Sequence, residues 1–366
     1  NNFIKILFKL IFTMLIPFGS KNLAGVDIGT ASIKVAEIKE GSPKSQFLNY
    51  GVVEASTHLE RQNEAFQTSS LKLSEKQATE ALKELFKESK INTKNVVASI
   101  PSFSSFTTFF NLPLMNEEDT RKAMSFQIKK YLPLPISEVK IEWIKVGERD
   151  TEIGRQQEIL LISVPKEQII QYQNIFKMAG LNLKALEIES LALARAFTDS
   201  QDSTPVVLVD IGCYNTNIVV VENGYLKYNN YTGYAGNFLT RAIANGLGID
   251  IRRAEEIKKS RGLLAGEAEY ELSTLLLPFL DAIIGEIKRA INSYQGSSSK
   301  SVKKIILAGG GANLLGIEQY FERELNLEVE IGNALSKLNY PLEIEPMAKE
   351  IGSTLGIAIG LGLHGF

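Results

Sequence analysis

From Leu23 onward, apolar runs of strand length alternate with segments whose apolar residues recur at helical spacing, and this alternation predicts an α/β architecture. Strands are predicted over Leu23 to Ile28, Ser32 to Lys39, Gln46 to Glu54 and Asn95 to Ile100. A helix is predicted over Glu75 to Lys90, where Ala78, Leu82, Leu85 and Phe86 share a face and Ser74 caps the first turn. Between Ser102 and Leu183 the pattern changes to a Phe-rich strand, the helix "NEEDTRKAMSFQIKKYL", the Pro-punctuated "PLPISEV", two more strands and the helix "KEQIIQYQNIFKMAG". That stretch reads as a self-contained α+β insert, with Trp143, Ile141 and Ile144 packing one of its strands. The alternation returns at "KALEIESLALARAF", and the polar "TDSQDSTP" leads into a second half.

The opening "NNFIKILFKLIFTMLIPFGS" differs from the rest. On a helix, Asn2, Lys5, Lys9 and Thr13 form one polar stripe and apolar residues cover the remainder, until Pro17 and Gly19 end it. About 14 residues falls short of the roughly 20 needed to cross a bilayer, and no small-residue cleavage site follows. Three readings stay open for residues 1–18: contact with a membrane surface or a membrane partner, packing against their own domain, and a signal or anchor.

With 366 residues, 44% of them hydrophobic, the chain is long enough for two or three domains with sizeable cores. The 40 basic and 42 acidic side chains leave a net charge of −2, so no overall field draws in nucleic acid. One cysteine, Cys213, excludes an intrachain disulfide, and with only two histidines it cannot build a usual zinc site. This composition fits a reducing cytoplasm.

Candidate chemistry enters with a repeat. "LAGVDIGTASIKVAEI" and "VVLVDIGCYNTNIVVVENG" each encode a strand, an Asp-Ile-Gly turn and a second strand, set 183 residues apart. A glycine after a strand permits a tight turn with exposed backbone N–H groups, and two such turns face to face grip phosphate oxygens from opposite sides. Gly29, Thr30, Ala31 and Ser32 would donate from one side, and Gly212, Cys213, Tyr214, Asn215 and Thr216 from the other. Asp27 and Asp210 supply hard oxygens for Mg²⁺ or its waters, and Lys34 reaches the phosphates as a point charge. Either hairpin alone also reads as a structural turn. "KKIILAGGGANLLGIEQYFEREL" adds a strand, a triple-glycine turn and a helix whose N-terminus favours an anion near a purine or α-phosphate, or else a plain strand-to-helix turn. On "DIRRAEEIKKSRG", Glu255 and Lys258 share a face and suit a ribose and base, or a surface ion pair. No Walker-type or strand-borne dinucleotide motif is present.

These four elements, in this order, resemble the actin-like ATPase superfamily, which includes actin, the heat-shock chaperone ATPase domain, sugar kinases and the divisome protein FtsA. The resemblance covers nearly everything from Leu23 onward. Within the superfamily the match is closest to the PilM family of type IV pilus assembly proteins, through "PFGSKNLAGVDIGTASIKVAEI", "VVASIP", "NLPLMNEEDTRKAMSFQIKKYLPLPISEVKIEWIKV", "EILLISVPKEQIIQYQNIFKMAGL", "GNFLTRAIANGLGIDIRRAEEIK", "ILAGGGANLLGI" and "IGSTLGIAIGLGL". The resemblance implies duplicated actin-like, ribonuclease-H-like domains flanking a nucleotide cleft. The first would comprise 23–101 with 185–199, the small inserted α+β domain 102–184, and the second domain 200–366 with a helical subdomain at 241–299, all after an N-terminal segment 1–22.

Carried over by motif, the resemblance implies ATP and Mg²⁺ as cofactors. Asp27, Gly29, Thr30, Ser32 and Lys34 would form the first phosphate loop, and Asp210, Gly212 and Thr216 the second, with Asp27 and Asp210 toward the metal. Gly236, Asn237, Glu255, Lys258, Gly309, Gly310 and Gly311 would line the nucleoside side. Asn217 stands where an acidic residue is common, Ala235 where a second glycine is usual, and Tyr214 adds bulk, so binding is expected over rapid hydrolysis. Glu187 and Glu189 are the nearby candidates for orienting an attacking water, or else strand-end carboxylates on the surface. Cys213 reads as structural, and His58 and His364, in isolated contexts, carry no role. The implied function is an ATP-binding cytoplasmic scaffold, peripheral at the inner membrane among other pilus assembly components, that takes the N-terminal peptide of a PilN-like bitopic membrane protein. The apolar "FSSFTTFF" edge and "YLPLP" are candidate groove segments or core packing. A filament former like FtsA and a small-molecule kinase are the alternatives.

Overall fold

A computed structural model describes residues 22–54, 73–152, 154–263, 269–298 and 300–365. The N-terminal helix expected before Pro17 and the segment containing His58 lie outside these residues. The chain opens with β1 (Asn22–Ile28), β2 (Ser32–Lys39) and β3 (Gln46–Glu54), then α1 (Glu75–Glu88) and β4 (Asn95–Ile100). The apolar stripe of α1 buries Ala78, Leu82 and Leu85, and Ser74 and Gln77 close a reciprocal capping box at its start. Three of these strands occupy the predicted spans, and β1 begins one residue early.

The next stretch holds β5 (Phe106–Pro113), α2 (Glu117–Gln127), β6 (Val139–Thr151) and β7 (Gly154–Pro165), which form a three-stranded antiparallel sheet in the order β5-β7-β6. Trp143 and Ile141 pack there against a small cluster built on Phe110, Met124 and Leu161. Then come α3 (Lys166–Ala179), β8 (Asn182–Ile188) and α4 (Glu189–Phe197). Helix α3, read from sequence as part of the insert, packs instead with the first half. Its buried Ile169, Tyr172, Ile175 and Phe176 join the cluster containing Leu82 and Leu85 of α1. The physical reason is its amphipathic face, which is covered mainly by α1 and only in part by β7 of the insert sheet.

The second half contains β9 (Val206–Ile211), β10 (Thr216–Glu222), β11 (Tyr225–Thr232), α5 (Gly236–Leu247), α6 (Ile251–Arg261), α7 (Glu269–Gln295), β12 (Lys304–Ala308), α8 (Ile317–Leu325) and β13 (Glu328–Ile331). Helices α9 (Ala348–Thr354) and α10 (Gly356–Gly362) follow. The two large sheets share one topology, β3-β2-β1-β4-β8 and β11-β10-β9-β12-β13. Each is an antiparallel meander of three strands joined to two parallel ones, which is the duplicated actin-like architecture that the resemblance implies.

The last helix departs from the sequence reading, which left it with the second half. Helix α10 lies on β1, β2 and α4 of the first sheet, so closely that a Cβ at Gly25 would stand 1.9 Å from Ala358 O and one at Gly360 2.0 Å from Ala192 O. Glycines at these crossings let backbone pack on backbone. The chain therefore passes between the halves twice, after α4 and again at Leu355 between α9 and α10. No helix among the described residues is long and apolar enough to cross a membrane.

Candidate functional site

Both hairpins turn in the same way. Gly29 N–H donates to Ser32 O and Gly212 N–H to Asn215 O, each at 3.0 Å. The following strand then places Lys34 directly across from Asp27 and Asn217 directly across from Asp210. Ser99 Oγ donates to Asp27 Oδ1 at 2.8 Å, while Lys34 Nζ stands 3.8 Å from Asp27 Oδ2. In the second half Asn217 Nδ2 donates to Asp210 Oδ2 at 3.3 Å.

The two turns face one cavity of about 50 Å³. Asp27, Gly29, Thr30, Ala31, Ser32 and Lys34 form one wall, and Asp210, Gly212, Cys213, Asn215 and Asn217 the other. Pro101, Phe103, Glu189 and Ile357 close it. A small-molecule pocket spans roughly 300–1,000 Å³, so this cavity is too small for a nucleotide as it stands.

Glu189 is 5% exposed at the start of α4, where the surface reading of the sequence fails. Its Oε2 accepts from Ser102 N–H at 3.0 Å, Ser102 Oγ at 3.2 Å and Asn217 Nδ2 at 3.0 Å. Burial, with the charges of Asp27 and Asp210, raises its carboxyl to about 8, against the pull of those donors. Burial likewise raises Asp210 to about 6, with Lys34 opposing and Asp27 adding to the rise. Glu187 is also fully buried, but there burial is overcome by Arg195 and His364, which hold it down at about 2. Arg195 grips it with two bonds, at 2.9 and 2.5 Å. His364, expected in a loose context, is 2% exposed with Nδ1 3.5 Å from Glu187 Oε2. Glu187 is thus committed to holding α4 and the C-terminal segment together and does not line the cavity. Burial pushes the Cys213 thiol up to about 11, which slows its reaction as a nucleophile and fits the structural reading.

The remaining expected residues surround this cavity at different depths. Thr216 is buried and its hydroxyl donates to Tyr234 O at 2.7 Å, away from the cavity. Gly236 and Asn237 anchor α5 to the second turn through N–H bonds to Gly212 O and Cys213 O. Glu255 and Lys258 are no surface pair: both are largely buried, 2.6 Å apart, and both meet the Thr240 hydroxyl, while Lys258 Nζ also donates to Gly236 O. Gly309 and Gly311 lie against Asp210 and Ile211 with no room for a Cβ, whereas Gly310 faces open space. The glycine turn runs into a short 3-10 turn, Gly310–Asn313, and α8 starts only at Ile317 after the left-handed Gly316. The helix N-terminus expected beside the glycines is therefore displaced from them. Phe103, Pro101 and Ile357 went unrecognised in the sequence, because they enter from the insert stem and from α10.

The donor set fits a magnesium-bound phosphate chain. Among the described residues, no group of three or more His, Cys, Asp and Glu makes a metal cage by itself. Mg²⁺ takes one or two carboxylates and completes its shell with phosphates and waters, which matches one aspartate on each wall beside turn N–H groups and Lys34. Two buried amide positions, Asn217 Oδ1 and both side-chain atoms of Asn237, have no hydrogen-bond partner, so acceptors and donors remain for a ligand or its waters.

Three comparisons bear on identity. The family model described as type IV pilus assembly protein PilM matches residues 25–366. The cell division proteins FtsA of Enterococcus hirae and Enterococcus faecalis are 22% and 23% identical, over 84% and 83% of this chain and 77% and 78% of theirs. Among solved structures, the chain is similar to the PilM-PilN type IV pilus biogenesis complex, with TM-score 0.78 and 19% identity over 94% of this chain and 98% of that one. It is also similar to the ethanolamine utilization protein EutJ from Carboxydothermus hydrogenoformans, with TM-score 0.56 and 19% identity over 95% of this chain and 92% of that one. MreB5 of Spiroplasma citri bound to AMPPNP shares the fold at TM-score 0.55 and 14% identity, over 93% and 95% of the two chains.

Proposed function

The chain belongs to the PilM family of type IV pilus assembly proteins, and we propose that within that assembly it is a nucleotide-binding scaffold held at the inner membrane by a PilN-like membrane protein. The observation that carries this reading is the pairing of two matched Asp-Ile-Gly hairpins on opposite walls of one cavity. Asp27 and Asp210 would hold Mg²⁺ from the two sides, the N–H groups of both turns and Lys34 would take the phosphates, and Gly309, Gly310 and Gly311 with Gly236, Asn237, Glu255 and Lys258 would bound the nucleoside side. Bound Mg²⁺ would neutralise phosphate charge and couple the two walls. Glu189 is the wall carboxyl free of metal duty, and burial with the charges of Asp27 and Asp210 raises it to about 8, which makes it a poorly placed base toward water in the empty site. This supports binding with slow turnover.

The solved PilM-PilN complex supports a PilN-like partner, and its N-terminal tail is placed by this reading in a groove between the insert and the first half. A shift in tail affinity equals the difference in nucleotide affinity between the open and closed states. Titrating the full chain with a PilN-like tail peptide, with and without Mg·ATP, is expected to give two distinct affinities. Equal affinities overturn the coupling. The similarity to FtsA keeps the filament-forming alternative as the second reading, and protein that pellets with Mg·ATP in sedimentation would favour it over the scaffold.

A further inference from the structure

Asn217 spans the cavity with a hydrogen bond from the second half to the first. One proton of its amide goes to Asp210 in its own half and the other to Glu189 in the opposite half. The same oxygen of Glu189 receives the backbone and the hydroxyl of Ser102, and Ser102 is where the chain leaves β4 for the insert. All four residues are buried. The insert in turn leans on the second half, through Lys227 and Glu158 at 2.5 Å and Asn229 and Thr107 at 3.0 Å.

An aspartate at 217 would face Asp210 and Glu189 with a third carboxyl group. The amide instead ties the walls together with no metal required. We propose that Asn217 is a latch that holds the cleft shut, and that its release passes to the insert through Glu189 and Ser102. This deepens the nucleotide reading and rests on it: when Asp210 turns toward a cation, the amide loses one of its two acceptors, and the wall-to-wall bond is left without its second anchor.

Cys213, the single thiol of the chain, lines the cavity and reports its opening. Iodoacetamide labelling of the nucleotide-free full chain, followed by mass spectrometry, is expected to run about two- to tenfold faster in Asn217→Asp and in Glu189→Ala, the span that losing one hydrogen bond between neutral groups covers. Glu189→Gln keeps a carbonyl acceptor and is expected to label like the wild type. Amide hydrogen exchange at Ser102 should rise in the first two variants, and in the wild type only on adding Mg·ATP. Wild-type labelling rates in both Asn217→Asp and Glu189→Ala overturn the latch, as does fast labelling of Glu189→Gln. Faster labelling with unchanged exchange at Ser102 overturns the relay to the insert. If the variants behave as expected while the wild type fails to bind Mg·ATP, the latch stands and the nucleotide reading falls.

Discussion

Glu187 and Glu189 sit two residues apart on one strand-to-helix junction and titrate in opposite directions. Glu187 is held at about 2 by Arg195 and His364 despite burial, so its contribution to stability is present above the ordinary carboxyl value of 4.5 and is lost as pH falls through 2. Glu189, raised to about 8, keeps a proton in the folded state that the unfolded chain releases near 4.5, so its contribution falls as pH rises from 4.5 through 8. Between pH 6 and 8, above the window of Asp210, the melting temperature of the wild type should decline with pH, and Glu189→Gln should flatten that decline. A decline of the same slope in the variant would remove Glu189 as its source. Glu187→Ala removes the buried carboxylate that neutralises Arg195, which keeps its bond to Gly360 O, and is expected to cost about 3–5 kcal/mol in denaturant unfolding. Both glutamates were visible in the sequence as candidates. Their burial was not, because the partners, His364 and Asn217, arrive from distant parts of the chain.

At the level of elements, the hairpins were legible because their chemistry is local: a strand, a glycine turn and a returning strand fix the register that sets Asp27 opposite Lys34 and Asp210 opposite Asn217. Helices α3 and α10 were harder to assign, since amphipathicity tells which face is buried but not against what. Helix α10 is the clearer case: Gly360 meets the Ala192 backbone, and the Ala358 and Gly362 backbone meets Gly25, contacts with no sequence period. Gly25→Ala forces a methyl into Ala358 O and is expected to destabilise the protein by about 1–3 kcal/mol, the usual range for overpacking. Urea unfolding measures this, and an unchanged midpoint would show that α10 does not press on β1 as described. The triple-glycine turn, read as facing a purine or α-phosphate, has Gly309 and Gly311 pressed on Asp210 and Ile211, and its direct link to α8 was misread because a 3-10 turn and the left-handed Gly316 intervene.

Over the whole molecule, two sheets of identical strand order, joined by two chain crossings, make a clamp whose walls carry one aspartate each. The duplication was legible in the sequence as a repeat 183 residues apart. How far the walls close was not, since it depends on the side-chain bridge from Asn217 to Glu189 and on the insert resting against β11. The account stands on a magnesium-bound triphosphate held between those walls. Calorimetric titration of Mg·ATP into the wild type, Asp27→Asn and Asp210→Asn tests it most directly. Binding in the wild type that weakens about tenfold or more in each variant, a loss of ~1.4 kcal/mol or greater, and that fades when magnesium is chelated, is the expected result. Affinity that is absent in the wild type, or that survives unchanged in both variants, contradicts it.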